Sequence, residues 1–172
     1  MCQKVKTDIE NLIKSRRSIR KFKNLDVEEE KVLKILESGR WSPSGLNNQP
    51  WRFCVLKAGK KDKISKFTSY WNIITESNVC ICVFMDSNMC YDRTKDMLAI
   101  GACIQNMLLT AENLNLGTCW LGEILKNKEK LNEVLNIDKS RYELVAVIAV
   151  GYKDESPVSE REVLNKLILR RQ

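Results

Sequence analysis

No histidine occurs among the 172 residues of this chain. That absence removes the commonest general base and the usual Ser/His or Cys/His nucleophile pairs, so an enzyme built from this sequence would take its chemistry from a bound cofactor. The seven cysteines, Cys2, Cys54, Cys80, Cys82, Cys90, Cys103 and Cys119, form no CxxC pair. Odd in number and set mostly in apolar runs, they read as reduced core thiols in a reducing compartment. With neither histidine nor CxxC, the same-face pair Cys80 and Cys82 makes a poor zinc site. Long apolar runs are missing too. The longest, Val79 to Met85 and Leu144 to Val150, fall far short of the roughly 18 residues of a membrane span. The opening stretch MCQKVKTDIENLIKS lacks the apolar segment and small-residue cleavage site of a signal peptide, so the expected location is the cytoplasm.

What is present has the balance of an ordinary folded chain, with 44% hydrophobic and 30% charged residues. The length predicts a single domain over 1–172, burying roughly 70% of its unfolded surface. A formal net charge of +7 permits an anionic partner. Its basic residues are interleaved with acids, however, and only Arg16 to Lys23 is a dense run.

Local patterns predict the elements. Thr7 with Glu10 is a capping-box pair for a short helix over 8–14, and Asp26 with Glu29 repeats the signal for a helix over 27–40 that buries Val32, Leu33 and Leu36. Strands are expected at 52–57, 79–85, 118–121 and 142–150, with helices at 61–67 and 128–135. The longest helical pattern is 92–116, stopped by Gly117. Its apolar stripe is wide enough to require burial on more than one side, in the core or at a subunit interface. After Gly151 the tail is polar, with helical character at 162–170. Strands and helices mingle without strict alternation, which favours α+β.

Three stretches carry chemistry. In SRRSIRKFK (15–23), an extended backbone puts Arg16, Ser18 and Arg20 on one face and Arg17 on the other. Guanidinium forks suit a phosphate dianion, each charge-assisted bond being worth about 1.5–3 kcal/mol, and a serine hydroxyl with arginine donors suits the carbonyl edge of a pyrimidine-dione ring. PSGLNNQPW (43–51) is dense in amide groups, and in GTCWLGE (117–123) Gly122 lets backbone approach a ligand and offers its N–H. Singly, these read equally as a basic surface run, a polar turn and a helix stop.

Together and in order, SRRSIRKF, PSGLNNQPW, the helix-to-strand stretch IGACIQNMLLTAENLNLGTCW and the strand ending VGY at Val150 to Tyr152 resemble the nitroreductase family of FMN-dependent oxidoreductases. The resemblance covers most of the chain. It implies a central mixed, mainly antiparallel β-sheet flanked by helices, in an intertwined homodimer. It also implies FMN held by Arg16 and Arg17 at the phosphate and by Ser18 and Arg20 at the ring edge. Pro43, Ser44, Gly45 and Asn47 would reach the flavin of the other subunit. Leu121 and Gly122 would lie against the central ring, and Asn72 would touch it from beside a short helix. Of two basic positions that relatives place on the phosphate near the C-terminus, this chain has Ser159 at the first and Arg161 at the second. The short connection between Met85 and Asp96 lacks the helical excursion that covers the flavin in larger relatives, which implies an open pocket. Cys90 and Tyr91 lie in that connection.

The function implied is ping-pong transfer from NADH, NADPH or another electron donor to a small-molecule oxidant such as a nitroaromatic or quinone, with no catalytic side chain, metal or membrane required. Two other readings compete. One is a nucleic-acid-binding module using 16–23 with Trp41 and Trp51 stacking bases; the other is a flavin-holding protein without reductase turnover.

Overall fold

The computed structural model describes residues 8–171. Cys2 and Thr7, the expected cap of the first helix, lie outside them. The helix α1 spans Ile9–Ser15, and Asp8 caps it, its carboxylate accepting the Glu10 N–H at 3.0 Å.

Four strands form one sheet in the order β1-β2-β4-β3: β1 is Trp51–Lys57, β2 Val79–Asp86, β3 Leu116–Leu121 and β4 Tyr142–Tyr152. Every pairing between these strands is antiparallel. Parallel pairing among the described residues is confined to one bridge, Ser18 to Thr118. The inner strands β2 and β4 are apolar almost throughout because both of their faces are covered. Residues alternate between the faces: Val79, Ile81 and Val83 join Ile148 and Val150 in one core, while Cys80, Cys82 and Phe84 join Val147 and Ala149 in the other. A register shift between Val83 and Phe84 re-phases β4.

On the first face lie α2 (Glu29–Arg40) and α5 (Arg93–Asn113), packed closely enough that a Cβ at Gly39 would stand 2.9 Å from Met107 Cγ. On the second lie α3 (Gly59–Ser65), α4 (Trp71–Glu76) and α6 (Lys128–Leu135), followed in the chain by the short α7 (Leu164–Leu167) in an exposed tail.

Several local expectations change. Glu28, not Asp26, is the N-cap of α2, and Asp26 instead accepts the Asn78 side-chain amide. Leu33 is 56% exposed; Ile35 and Gly39 join Val32 on the buried face. The long helix ends at Asn113, and Asn115, at φ 59°, takes the left-handed turn assigned to Gly117, which belongs to β3. The α4 helix was not expected as an element, and the tail helix shrinks to α7. Among the described residues no helix is long and apolar enough to cross a membrane.

Candidate functional site

Gly117 and Gly151 are direct cross-strand partners of β3 and β4. Lacking side chains, they leave a bare slot on the sheet, and the basic segment lies in it. A Cβ at Gly117 would come within 2.8 Å of Ile19 Cβ, and one at Gly151 within 2.8 Å of Phe22 Cδ1. Ile19 and Phe22 are accordingly buried. The Ile19 N–H donates to Thr118 O at 2.8 Å, and Lys23 N–H to Tyr152 O at 2.9 Å. The Glu155 carboxylate accepts the N–H groups of Arg20 and Lys21 at 2.5 and 3.3 Å. Two anchors therefore hold the segment along the outer edge of β3 with Ser18 and Arg20 turned away from Ile19.

Arg16 and Arg17 are both half-buried and Arg20 is exposed. One terminal nitrogen of Arg17 donates to the carbonyls of Lys14 and Arg16, but its buried Nε has no acceptor among the described residues. A buried guanidinium N–H with no partner carries a full desolvation cost. Arg20 is exposed, with a long contact from Nη1 to its neighbour Ser18 O, and Arg16 has no side-chain hydrogen bond among the described residues.

A cavity of about 290 Å³ adjoins this segment, lined by Arg20, Tyr70, Ile73, Cys119, Trp120, Leu121, Gly122 and Glu123. It brings three expected site residues together: Arg20, Leu121 and Gly122. Gly122 has φ −98°, which any residue adopts, and a Cβ there would meet nothing within 4 Å. The fold itself does not demand glycine here. Its N–H donates to no acceptor among the described residues. Burial pushes the Cys119 thiol up, with the Arg20 charge acting the other way. Glu123 is held at about 2, chiefly by Lys126 and then by the Thr68 hydroxyl.

Asn72 is exposed on α4, between the cavity residues Tyr70 and Ile73. Arg161 lies on the exposed tail, its guanidinium donating to Ser159 Oγ and Glu160 O, and is not among the residues lining the cavity. The other five cavity residues were not named as site residues from sequence: Cys119, Trp120 and Glu123 lie within the 117–123 stretch singled out there, whereas Tyr70 and Ile73 lie outside every such stretch. The aromatic pair beside Asn72 and the acid after Gly122 were the available signals.

The second motif lies elsewhere. Pro43 and Ser44 lead into a tight turn, Gly45–Asn47, in which Leu46 and Asn47 have φ near 55°. Ser44 Oγ accepts the Gln49 N–H, and the Asn48 amide donates to Met89 O at 2.8 Å and to Asp96 Oδ1 at 2.7 Å. Asp96 is fully buried: burial raises its pKa, but hydrogen bonds from Asn48 and from the N–H groups of Tyr91 and Asp92 outweigh that and leave it lowered. Gly45 sits so close to Tyr91 that a Cβ would overlap its hydroxyl. Tyr91 thus packs against this loop, the Cys90 thiol donates to Asp86 O at 3.4 Å, and neither lines the cavity beside Arg20. The loop feeds β1, while the basic segment lies outside β3, four strand spacings or roughly 19 Å across the sheet. Within one chain the two motifs do not meet. Trp51, offered as a base-stacking residue, is 4% exposed and belongs to the core, which removes half of the nucleic-acid platform.

The same fold recurs in known proteins. A protein described provisionally as a nitroreductase, in complex with FMN, from Desulfovibrio desulfuricans superposes with a TM-score of 0.93 at 40% identity, over 95% of this chain and 96% of that one. A structure described provisionally as an NADH oxidase from Clostridium acetobutylicum gives 0.84 at 31% identity, over 94% and 99%. A Methanothermobacter thermautotrophicus protein, provisionally named NADH dehydrogenase/NAD(P)H nitroreductase, is 31% identical over 157 residues, 88% of this chain and 81% of its own. The Nitroreductase family model matches residues 13–79 and 66–152. With its basic segment seated on the Gly117 and Gly151 slot beside the Gly122 cavity, this chain belongs to the nitroreductase family.

Proposed function

We propose that the protein is an FMN-dependent oxidoreductase, working as a homodimer and passing electrons from NADH or NADPH to small oxidants such as nitroaromatics or quinones. The observation that carries the reading is a set of unspent donors on one edge of the sheet. Among the described residues Arg17 Nε is buried without an acceptor, the Gly122 N–H donates to none, and the guanidinium groups of Arg16 and Arg20 make no ion pair, the Glu155 carboxylate taking only the Arg20 main-chain N–H. A dianionic phosphate fits the first need and a ring nitrogen or carbonyl the second. That the superposed Desulfovibrio protein is an FMN complex supports the same choice.

When bound, FMN would supply hydride acceptance from a reduced nicotinamide and its return to an oxidant. Arg16 and Arg17 hold the phosphate. Ser18 and Arg20 orient the polar edge of the ring, and Arg20 brings positive charge beside it. Gly122 offers its N–H from a backbone with no side chain in the way. No protein acid or base is required, in keeping with a chain without histidine.

The separation of the two motifs supports a dimer, because Pro43, Ser44, Gly45 and Asn47 can reach a flavin on residues 16–20 only in a second chain. Exposed apolar surface supports it as well. Leu98 and Trp41 are 71% and 73% exposed, and Gly101, in mid-helix with open space above it, leaves room for close helix packing. Beside the open edge of β1 runs a groove of about 650 Å³ lined partly by Leu33, Leu36, Trp51 and Phe53. The tail after Glu155 carries exposed Val158, Val163, Leu164, Leu167 and Leu169, which suit such a groove in an intertwined pair.

The test is a cuvette. Purified protein should show a flavin spectrum, bleached by NADH or NADPH and restored by a nitroaromatic or quinone, and Arg16→Ala with Ser18→Ala should lose the flavin while staying folded. A yellow protein inert to both nicotinamides would favour a flavin holder, and full flavin occupancy in the double variant would refute the assigned site.

A further inference from the structure

Tyr70 lines the cavity together with Arg20, and its backbone is tied to the residues that follow Gly122 through Thr68. Thr68, only 7% exposed, uses its hydroxyl twice: it accepts the Tyr70 N–H at 3.1 Å and donates to Glu123 Oε2 at 2.6 Å. The same oxygen accepts the Ser69 N–H at 3.3 Å, while Lys126 occupies the other carboxylate oxygen. A second tie runs from the Asn127 amide to Phe67 O at 2.8 Å. The connection between α3 and α4 is thereby fastened to the residues directly after Gly122. Tyr70 itself is 47% exposed, and its hydroxyl bonds to nothing among the described residues. An aromatic residue whose backbone is tied at a cavity rim, with its polar tip free, is suited to stack on or fend off a planar guest.

We propose that the Thr68 to Glu123 hydrogen bond is a latch that holds Tyr70 as the cavity wall, and that Tyr70 so held sets the size of acceptor admitted. Thr68 is a positioning residue, acting through Tyr70, and Tyr70 is the specificity-determining one. The inference rests on the function proposed above. Valine at 68 keeps the shape of threonine but loses both hydrogen bonds at once, whereas serine keeps both.

The experiment uses FMN-loaded protein with NADH as donor and compares kcat/KM for 1,4-naphthoquinone with that for 1,4-benzoquinone. Thr68→Val should retain FMN and shift this ratio about fivefold toward the two-ring quinone, Thr68→Ser should keep the wild-type ratio, and Tyr70→Ala, at an exposed position, should shift it in the same direction as valine. A uniform loss of rate, which a merely structural role would produce, leaves the ratio unmoved. A yellow Thr68→Val or Tyr70→Ala protein with the wild-type ratio overturns the latch, as does a serine variant that behaves like valine. Failure of the underlying function looks different: wild-type protein that takes up no FMN.

Discussion

A methyl group at position 117 would stand 2.8 Å from Ile19 Cβ and 2.9 Å from its Cγ2, where ordinary contact begins at 3.4 Å. Those atoms sit at the root of a buried, β-branched side chain, so rotation cannot relieve the clash. The backbone of the basic segment has to lift by about 0.6 Å. Overpacking of this kind costs about 1–3 kcal/mol. Because Gly117 has no positive φ, alanine returns about 0.4–1 kcal/mol through the unfolded state. The net loss expected for Gly117→Ala is about 1–2 kcal/mol, or a fall in Tm of roughly 2–8 °C for a chain of this size. Ser18 and Arg20 ride on the same backbone. Loss of even one charge-assisted bond, worth about 1.5–3 kcal/mol, weakens FMN binding roughly tenfold to a hundredfold. Thermal melts without cofactor and quenching of flavin fluorescence on titration measure the two effects. Gly59→Ala, whose Cβ would meet nothing within 4 Å, is the control and should not lower Tm. If Gly117→Ala melts and binds FMN like the wild type, the glycine slot does not seat the segment, and the reasoning fails.

Leu98→Asp, placing charge on the exposed apolar face of α5, should convert a dimer into a 19.9 kDa monomer by light scattering and lower FMN occupancy with it. Asp86 is fully buried and paired with both Arg52 and Arg141; Asp86→Asn should cost about 1.5–3 kcal/mol in urea unfolding, and unchanged stability would show that the pair is idle. Stability should be flat from pH 7 to 5, because no histidine titrates there. Glu28, Glu37 and Glu123 fall from 4.5 to about 2 in the fold, so their contribution is present above about 4.5 and disappears as pH drops toward 2. A Tm that declines mainly between pH 7 and 5 would contradict this.

Elements with strong local periodicity were legible. The helix over 128–135 and the buried strand beginning at Val79 have the expected bounds to within a residue, since apolar spacing and β-branched runs act over neighbours. Misreadings came where a distant residue decided. Gly117 looked like a helix stop because glycine commonly ends helices, yet its need is the close approach of Ile19, far earlier in the chain. Leu33 fitted the helical stripe as well as Ile35 did; only the direction from which α5 approaches leaves Leu33 outside. The short α4 had too few residues to set a period.

For the site, composition and order of motifs were enough to name the family, and the lack of histidine already pointed to borrowed chemistry. Alternation along an extended backbone accounts for the contrast between the buried Ile19 and the exposed Arg20, while Arg16, Arg17 and Ser18 are all half-buried and burial does not divide them. Which motifs share a cavity was beyond any such rule. Packing across the sheet put Arg20 beside Gly122 and Tyr70, and sent the 43–47 loop to the far edge. Contacts between residues distant in sequence depend on how whole layers stack, and a linear pattern holds no record of that.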